Sequence, residues 1–229
     1  MSNREVFLTN IARQLGREMQ TVPAPCPEPL NHYATTRLTE LSEEQRYQAF
    51  VDFARQTMQV ECQLVAPDRL AQTAVTLCER AGGPVVISGD RRLEEAGISA
   101  ALIQQAAAQP WEAGLGAANI TRAAAAHTGV VWADYGLVES GGVVLFSTPE
   151  QGRSLSLLPE TTIFVLRRST LLPRVAQLAA LLAQRARLGE RMPSCINLIA
   201  GPSSTADIEL IKVVGVHGPV NAIYLIADC

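Results

Sequence analysis

The stretch from residue 60 to residue 89, VECQLVAPDRLAQTAVTLCERAGGPVVISG, determines the fold class of the chain. Its first seven residues alternate as a half-buried strand does, and Pro67 then stands where a first helical turn tolerates proline. Apolar residues follow at helical spacing: Leu70, Ala74, Leu77 and Cys78. Gly82 and Gly83 end this helix, and PVVISG reads as a short buried strand. A strand, a helix and a second strand in this order predict parallel pairing, because parallel strands need a crossover connection.

Segments on either side of this stretch continue the α/β pattern. Ser42 to Gln45 form a capping-box pattern, which predicts the start of a helix, and apolar residues at helical spacing follow. Asp90 can cap a further helix, a brief segment near Trp111 is predicted to be extended, and residues 120–126 are predicted to be helical. The alternation indicates an α/β domain in which helices cover both faces of a mostly parallel sheet.

The middle of the chain breaks this alternation. Three closely spaced segments, LVESGGVVLFST, GRSLSLLPE and TTIFVLRR, are predicted to be short strands separated by glycine and proline. Hairpins or a mixed sheet are therefore expected between residues 137 and 168. A helix from Pro173 to Arg187 and two strands, Ile196 to Ala200 and Ala222 to Ala227, complete the predicted domain.

The N-terminal residues form an extension to this domain. Apolar residues from Phe7 to Leu15 recur at helical spacing, which predicts a helix that ends near Gly16. Four prolines between Pro23 and Pro29 forbid helix and indicate an extended linker. We divide the chain into a helix with a proline-rich linker (residues 1–41) and one domain (residues 42–229). The helix could cover its own domain, exchange with a second copy in a homo-oligomer, or contact a partner.

Composition excludes several classes of function. The chain has 229 residues, of which 48% are hydrophobic and 18% are charged, as in an ordinary globular protein. A net charge of -3, an aromatic content of 5% and the absence of a basic run argue against nucleic acid as a partner. The N-terminus lacks the apolar core of a signal peptide, and no apolar run approaches the roughly 18 residues of a membrane span. We therefore expect a cytoplasmic protein that does not contact a membrane.

The cysteines and glycines predict no cofactor. Five cysteines occur at wide spacings without a CxxC run: Cys26, Cys62, Cys78, Cys195 and Cys229. In a reducing compartment such residues are usually small buried hydrophobic groups, so no iron-sulfur cluster or zinc site is predicted. The sequence also has no GxGxxG dinucleotide fingerprint and no P-loop.

A Gly-Pro-Ser-Ser-Thr turn follows the strand that ends near Ala200. Such turns at the carboxyl edge of an α/β sheet bind ligands, and the N–H groups of Ser203, Ser204 and Thr205 could bind an anion there. The same segment, read as S-x-x-D from Ser204 to Asp207, also fits an ordinary helix start. Both interpretations place a helix after the turn.

The segment GPSSTADIELIKVVGVHGP resembles the C-terminal signature of the LUD domain, the C component of bacterial lactate-utilization systems. VVWADYGLVESGGVVLFS and GRSLSLLPETTIFVLRRSTLLPRV are similar to that family too. The resemblance runs from about residue 42 to the C-terminus. It implies the α/β fold shared by sugar-phosphate isomerases and coenzyme A transferases.

The resemblance also implies a function. Members of the family are implicated in oxidising L-lactate to pyruvate together with two proteins that carry iron-sulfur ligands. Because this chain lacks such ligands, it is predicted to be a non-redox subunit that binds a small carboxylate or a partner and works only within a multiprotein oxidase. Two alternatives stay open: an independent transferase or isomerase that uses Glu139, and a non-catalytic assembly or regulatory subunit.

Three residues outside the Gly-Pro-Ser-Ser-Thr turn are site candidates. Glu139 loosely resembles the nucleophilic glutamate of coenzyme A transferases, although an exposed hairpin glutamate explains it equally well. Arg153 could clamp a carboxylate through two parallel N–H bonds, or pair with a local acid. His217, between glycines and a proline, is typical of a pocket. Glu139 and His217 are thus the candidate catalytic residues.

The turn and its neighbours complete the predicted site. The candidate ligand-binding residues are Arg153, Ser203, Ser204, Thr205, Asp207 and Glu209. We expect Asp207, Glu209 and His217 to share one pocket with the turn, provided that the helix after it is short. The three side chains could in principle ligate a divalent ion, but no metal site is predicted.

Overall fold

The computed structural model describes residues 2–22, 24–206 and 211–229. The chain divides into two compact units, Met1–His32 and Tyr33–Cys229. In the first unit, α1 (Asn3–Gln14) begins at a capping box between Ser2 and Glu5. Ala12 is buried, whereas Phe7 and Leu15 are 63% and 62% exposed. The predicted N-terminal helix is confirmed, and its apolar stripe is largely exposed.

The second unit contains the remaining helices and strands. Its helices are α2 (Tyr33–Thr36), α3 (Glu43–Gln56), α4 (Leu70–Ala81), α5 (Arg91–Glu95), α6 (Ile98–Ala106), α7 (Ala117–Ala125), α8 (Ser154–Leu157) and α9 (Val175–Arg187). Its strands are β1 (Glu61–Val65), β2 (Val85–Ile87), β3 (Gln109–Pro110), β4 (Thr128–Trp132), β5 (Tyr135–Leu137), β6 (Gly142–Phe146), β7 (Thr161–Arg167), β8 (Leu171–Leu172), β9 (Ile196–Ile199), β10 (Ser204–Thr205), β11 (Val213–Val214) and β12 (Asn221–Ala227).

A parallel sheet lies at the centre of this unit. Among the described residues it has six strands in the order β1-β12-β7-β4-β2-β3, and every pairing is parallel. A second, mixed sheet has the order β8-β5-β6-β9, in which β6 pairs antiparallel with both neighbours. The predicted mixed α/β fold with a mostly parallel sheet is confirmed.

Side chains alternate between the two faces of the parallel sheet. In β12, Ile223 and Leu225 pack among residues of α4, α5 and α6, whereas Tyr224 and Ile226 pack among residues of α3 and the second sheet. The outer face of the second sheet is covered by α9, which contributes the buried Leu178. This two-sided burial explains why the central strands are almost continuously apolar.

The residues that were predicted to start helices make the expected contacts. Ser42 Oγ accepts the Gln45 N–H and the Gln45 side chain accepts the Ser42 N–H, which completes the capping box at the start of α3. Pro67 occupies the first position of a 3-10 turn that leads into α4. Asp90 caps α5 by accepting the Arg92 N–H at 2.9 Å.

The prediction of a strand across residues 152–160 is wrong, because this segment contains the short helix α8. Leu155 and Ser156 of this helix are both buried. The helix approaches β4 so closely that a Cβ at Gly129 would lie 2.3 Å from the Leu155 carbonyl oxygen and 2.9 Å from Pro159. Glycine at residue 129 therefore permits a helix on the sheet where alternating Ser and Leu suggested a strand.

Strands, rather than the predicted helix, occupy the described residues on either side of residues 207–210. Ser204 and Thr205 pair antiparallel with Val214 and Val213, so β10 and β11 form a hairpin. The β-branched valines favour this extended pairing. Residues 207–210, between the two strands, lie outside the described residues.

Within the described residues, no helix is long and apolar enough to span a bilayer.

The close approach of α8 to β4 makes a stability prediction. Gly129→Ala should lower the free energy of unfolding by roughly 1–3 kcal/mol, because the new Cβ meets a backbone oxygen that cannot rotate away. Gly114→Ala is the matched control, since no atom lies within 4 Å of its added Cβ, and should change stability by less than about 0.5 kcal/mol. Urea denaturation of both variants measures the difference. Equal stabilities would contradict this account of residue 129.

Candidate functional site

Three of the predicted site residues line one cavity. Ser203, Ser204 and His217 border a space of about 260 Å³. Its remaining walls come from α8, β7, β9 and the start of β12, with Ser156, Leu157, Phe164, Leu198, Ile199 and Ala222 among the lining residues. We call this space the serine–histidine cavity. It combines hydroxyls, an imidazole and apolar surface, as small-molecule sites do.

Backbone hydrogen bonds hold the two sides of this cavity together. The Ser203 N–H donates to the Pro219 carbonyl at 2.9 Å, and the Gly215 N–H donates to the Ser203 carbonyl at 2.8 Å. Gly215 has a φ of 83°, a conformation that favours glycine, and this turn brings His217 back beside Ser203. The chain therefore folds back toward the Gly-Pro-Ser-Ser-Thr turn at His217, as the predicted shared pocket requires.

The position of the cavity corrects one expectation. The turn was expected at the carboxyl edge of the parallel sheet, but Ser203 bonds Pro219, which lies two residues before β12, so Ser203 lies at the amino edge. The physical reason is that β9 belongs to the second sheet, where it runs antiparallel to β6. The Ser203 N–H is also used by Pro219, so it is not available for the predicted anion site. The hydroxyl groups of Ser203 and Ser204 remain as the polar groups of the turn.

Thr205 is not among the residues that line the cavity, and it pairs with Val213 in the hairpin. Asp207 and Glu209 lie outside the described residues, and so does the predicted contact of their side chains with His217. Among the described residues, no group of three or more His, Cys, Asp or Glu side chains is placed to hold a metal ion.

Arg153 lies next to residues of the cavity wall. Its Nε donates to Asn197 Oδ1 at 3.1 Å, and its carbonyl accepts the Ser156 hydroxyl at 3.2 Å. The side chain is exposed and makes no ion pair among the described residues, so the alternative of a local acidic partner is not observed there. Neither terminal guanidinium nitrogen has a hydrogen bond within the described part of the chain, which leaves both for a ligand.

Glu139 has a different environment. Its two carboxylate oxygens accept the Arg174 Nε–H at 2.6 Å and the Val175 N–H at 2.7 Å. Burial opposes its ionisation, but these hydrogen bonds outweigh burial and lower the pKa of Glu139. The Glu139 carboxylate lies beside the N–H of Val175, the first residue of α9, where the positive end of the helix dipole favours a negative charge. Glu139 does not line the serine–histidine cavity, and its nucleophilic role stays a prediction.

One charged cluster was missed by the sequence analysis. Arg92 donates to Asp90 Oδ2 at 2.6 Å and to Asp134 Oδ1 at 2.8 Å. Asp134 also accepts the Phe146 N–H at 2.7 Å. Asp90 was interpreted only as a helix cap. The overlooked signal is that both aspartates follow buried parallel strands, β2 and β4, whose carboxyl ends lie side by side.

Burial affects the two aspartates of this cluster differently. Burial raises the pKa of Asp134 above its ordinary value, and Arg92 and the Phe146 N–H only partly offset that effect. Burial also opposes ionisation of Asp90, but hydrogen bonds from Arg92 outweigh it and lower the pKa of Asp90. Asp90 is therefore the stronger acid of the pair.

The cysteines are dispersed through the fold. Cys62 in β1 and Cys78 in α4 are buried, and burial raises their pKa values to about 11 and about 12. Cys26 and Cys229 are exposed, and Cys195 is half-buried. Cys62 and Cys78 have the environment of small buried hydrophobic residues, as predicted, whereas that prediction is wrong for the exposed Cys26 and Cys229.

Comparison with known proteins places the chain in a family. The LUD domain model matches residues 42–227. The uncharacterized protein YkgG of Escherichia coli strain K12 is 58% identical, with both chains covered completely. Lactate utilization protein C of Geobacillus kaustophilus is 37% identical over 98% of this chain and 95% of the relative. Its counterpart in Bacillus subtilis is 36% identical over 100% and 97%.

A solved structure has the same fold. The crystal structure of a DUF162 family protein from Deinococcus radiodurans aligns with a TM-score of 0.56 and 21% identity. The alignment covers 82% of this chain and 99% of that one. The family model spans most of the chain and the bacillar relatives match it almost from end to end. The chain therefore belongs to the LUD domain family.

Proposed function

We propose that the chain serves in lactate utilization as a subunit that binds a small carboxylate and works beside iron-sulfur proteins. The observation that carries the proposal is the near full-length similarity to relatives named lactate utilization protein C. The serine–histidine cavity supplies a place for the ligand. Its volume of about 260 Å³ suits a molecule of a few heavy atoms rather than a nucleotide.

The cavity offers groups that match each part of lactate. The hydroxyls of Ser203 and Ser204 can donate to a carboxylate, and Arg153 at the neighbouring loop can supply a charge-assisted pair of N–H bonds. His217 can accept the proton of the substrate hydroxyl. Leu198 and Ile199 provide apolar surface for the methyl group.

The proposal sends the electrons to another protein. Oxidation of lactate to pyruvate releases two electrons and two protons. The five cysteines of this chain include none of the closely spaced runs that are typical of cluster ligands. The proposed division of work is therefore that this subunit holds the ligand while partner proteins with iron-sulfur clusters accept the electrons.

Reconstitution tests this division. The chain is purified alone and together with the co-expressed iron-sulfur proteins, and L-lactate-dependent reduction of a redox dye is measured for each sample. Dye reduction is expected only in the combined sample, and Ser203→Ala with His217→Ala should lower it. Dye reduction by the isolated chain would contradict the proposal, and full activity of the double variant would leave the chain as an assembly subunit.

A conservative change at Arg153 tests the carboxylate contact. Arg153→Lys should weaken lactate binding about tenfold, because a single ammonium cannot reproduce two parallel N–H bonds. Growth on L-lactate of a strain that carries only this variant should be correspondingly impaired. Arg187→Lys, an exposed arginine at the end of α9, is the matched control. Normal growth of the Arg153 variant would make Arg153 an ordinary surface residue.

Glu139 is predicted to stabilise the fold through its hydrogen bonds at the start of α9. Glu139→Gln should lower the free energy of unfolding by roughly 1 kcal/mol at pH 7, because it loses charge-assisted bonds to Arg174 and Val175. The folded-state pKa is lowered, so this contribution is complete above the ordinary glutamate pKa of about 4.3 and is lost as the pH falls through the folded value.

Urea denaturation at a series of pH values from about 3 to about 7 measures how the free energy of unfolding depends on pH. Lactate-dependent dye reduction by the reconstituted Glu139→Gln variant should equal that of the wild type. Unchanged stability with lost activity would instead support the transferase alternative, in which the Glu139 carboxylate reacts.

A further inference from the structure

The carboxyl-terminal edge of the parallel sheet holds a second recess. Its volume is about 250 Å³, and we call it the carboxyl-edge crevice. The ends of β4, β7 and β12 form its floor, while α4 and α5 form its sides, with Pro67, Leu70, Arg92, Ala96, Trp132 and Arg167 among the lining residues. Ala227 lines this crevice, whereas Ala222, at the other end of β12, lines the serine–histidine cavity. At about 3.3 Å per residue, the two recesses lie roughly 16 Å apart along the strand.

The topology of the sheet changes direction beside this crevice. The neighbouring strands β2 and β4 are followed by segments on opposite faces: β2 leads into α5, whose Leu93 packs with α4, and β4 leads into the second sheet. Connections that diverge in this way leave an opening between adjacent strand ends, where ligands of open α/β sheets bind. The serine–histidine cavity lies at the amino edge of the sheet, so this rule about the carboxyl ends of strands does not apply to it.

Two arginines converge on one indole in the crevice. The guanidinium carbons of Arg92 and Arg167 each lie 5.5 Å from the centre of the Trp132 ring system. Arg92 is held by Asp90 and Asp134, which fix its plane. Arg167 is exposed and forms no ion pair among the described residues. Its donors are thus available to a ligand, while its guanidinium is placed by the cation–π contact.

The rest of the lining restricts the class of ligand. Pro67, Leu70 and Ala96 give apolar surface, which suits a carbon chain and offers nothing to a bare inorganic ion. Cys229 and the carboxylate of Glu95 also line the crevice, and Glu95 pairs with Arg91 at 2.8 Å. The negative charges of Glu95 and of the two aspartates that pair with Arg92 oppose an anion with more than one charge. A monoanion with a short apolar part fits these conditions better than phosphate does.

We propose that the carboxyl-edge crevice binds a short-chain monocarboxylate, with Arg167 as the principal contact to the carboxylate. The unused N–H groups of Arg92 assist, and the carbon chain lies against Leu70 and Ala96. This site is separate from the serine–histidine cavity and does not depend on the function proposed for that cavity.

The sequence provides a local reporter for the test. Its two tryptophans are Trp111 and Trp132, and Trp111 does not line the crevice. Trp111→Phe therefore leaves Trp132 as the only indole, and circular dichroism verifies that the variant is folded. The fluorescence of Trp132 is titrated with L-lactate, pyruvate, propionate and inorganic phosphate at millimolar concentrations. Calorimetric titration of the full chain with its native tryptophans gives a second measurement that needs no substitution at Trp111.

The proposal predicts a saturable change with at least one of the three carboxylates and a weaker response to phosphate. In the same background, Arg167→Gln should weaken that binding at least about tenfold, whereas Arg187→Gln should not. Arg153→Gln should also leave the Trp132 response intact, which separates this site from the serine–histidine cavity.

Three results would overturn the proposal. They are a Trp132 fluorescence that none of the three carboxylates changes saturably together with calorimetric binding that Arg167→Gln does not alter, binding of phosphate as strong as that of the carboxylates, and a Trp132 response that survives Arg167→Gln. Lactate-dependent dye reduction by the reconstituted system is measured independently. Dye reduction without a Trp132 response would show that only the crevice proposal has failed. A Trp132 response without dye reduction would show that only the function proposed for the serine–histidine cavity has failed.

Discussion

The hydrogen bond from the buried Tyr224 hydroxyl to the Gly141 carbonyl, 3.1 Å long, joins the two sheets of the domain. The Tyr224 ring stacks on Phe50 of α3 at 5.6 Å and meets Phe164 of β7 edge-on at 5.8 Å. The ring thereby fixes the distance between the parallel sheet and the layer above it, and the hydroxyl fixes the position of the turn between β5 and β6. Without the hydroxyl, the buried Gly141 carbonyl would lose a partner, at a cost of about 1–3 kcal/mol. Burial raises the pKa of Tyr224, so its proton is retained for this bond.

Tyr224 fixes the middle of β12, and the two ends of this strand border two different recesses. Its amino end joins the serine–histidine cavity, where polar groups are carried on turns: the Ser203 N–H bonds Pro219, and Gly215 bonds the Ser203 carbonyl. Its carboxyl end joins the crevice, where Arg167 is carried by a strand and Arg92 by a helix, and Arg92 is held by ion pairs. Turns adjust to a ligand more easily than strand ends do. The proposed amino-edge site is thus suited to adapting to its ligand, and the proposed carboxyl-edge site to rigid recognition.

Much of the fold could be predicted because its signals are local. The capping box at Ser42, Pro67 before α4 and the cap at Asp90 each depend on residues within one helical turn. The errors arose where a distant residue decides. Residues 152–160 alternate like a strand, but Gly129 on β4 leaves room for a helix there. The Gly-Pro-Ser-Ser-Thr turn follows an apolar strand, as expected, but that strand belongs to the mixed sheet. Its sheet membership depends on pairing with β6, whose residues lie 50 to 56 positions earlier in the chain, and no local pattern encodes that pairing.

The same limit explains how the Asp90–Arg92–Asp134 cluster was missed. As a sequence, Asp90 is a complete helix-cap signal, and nothing in it indicates a second role. In the structure, its carboxylate accepts both the Arg92 N–H of the cap and the Arg92 side chain. Asp134 extends the connection, because one oxygen accepts Arg92 and the other accepts the Phe146 N–H at the end of β6. One cluster therefore links the start of α5, the end of β4 and the second sheet. A residue that completes a local helix cap can therefore also take part in a long-range contact. Arg92 is positioned over Trp132 because it is held both by Asp90 at the cap and by Asp134 at the end of β4.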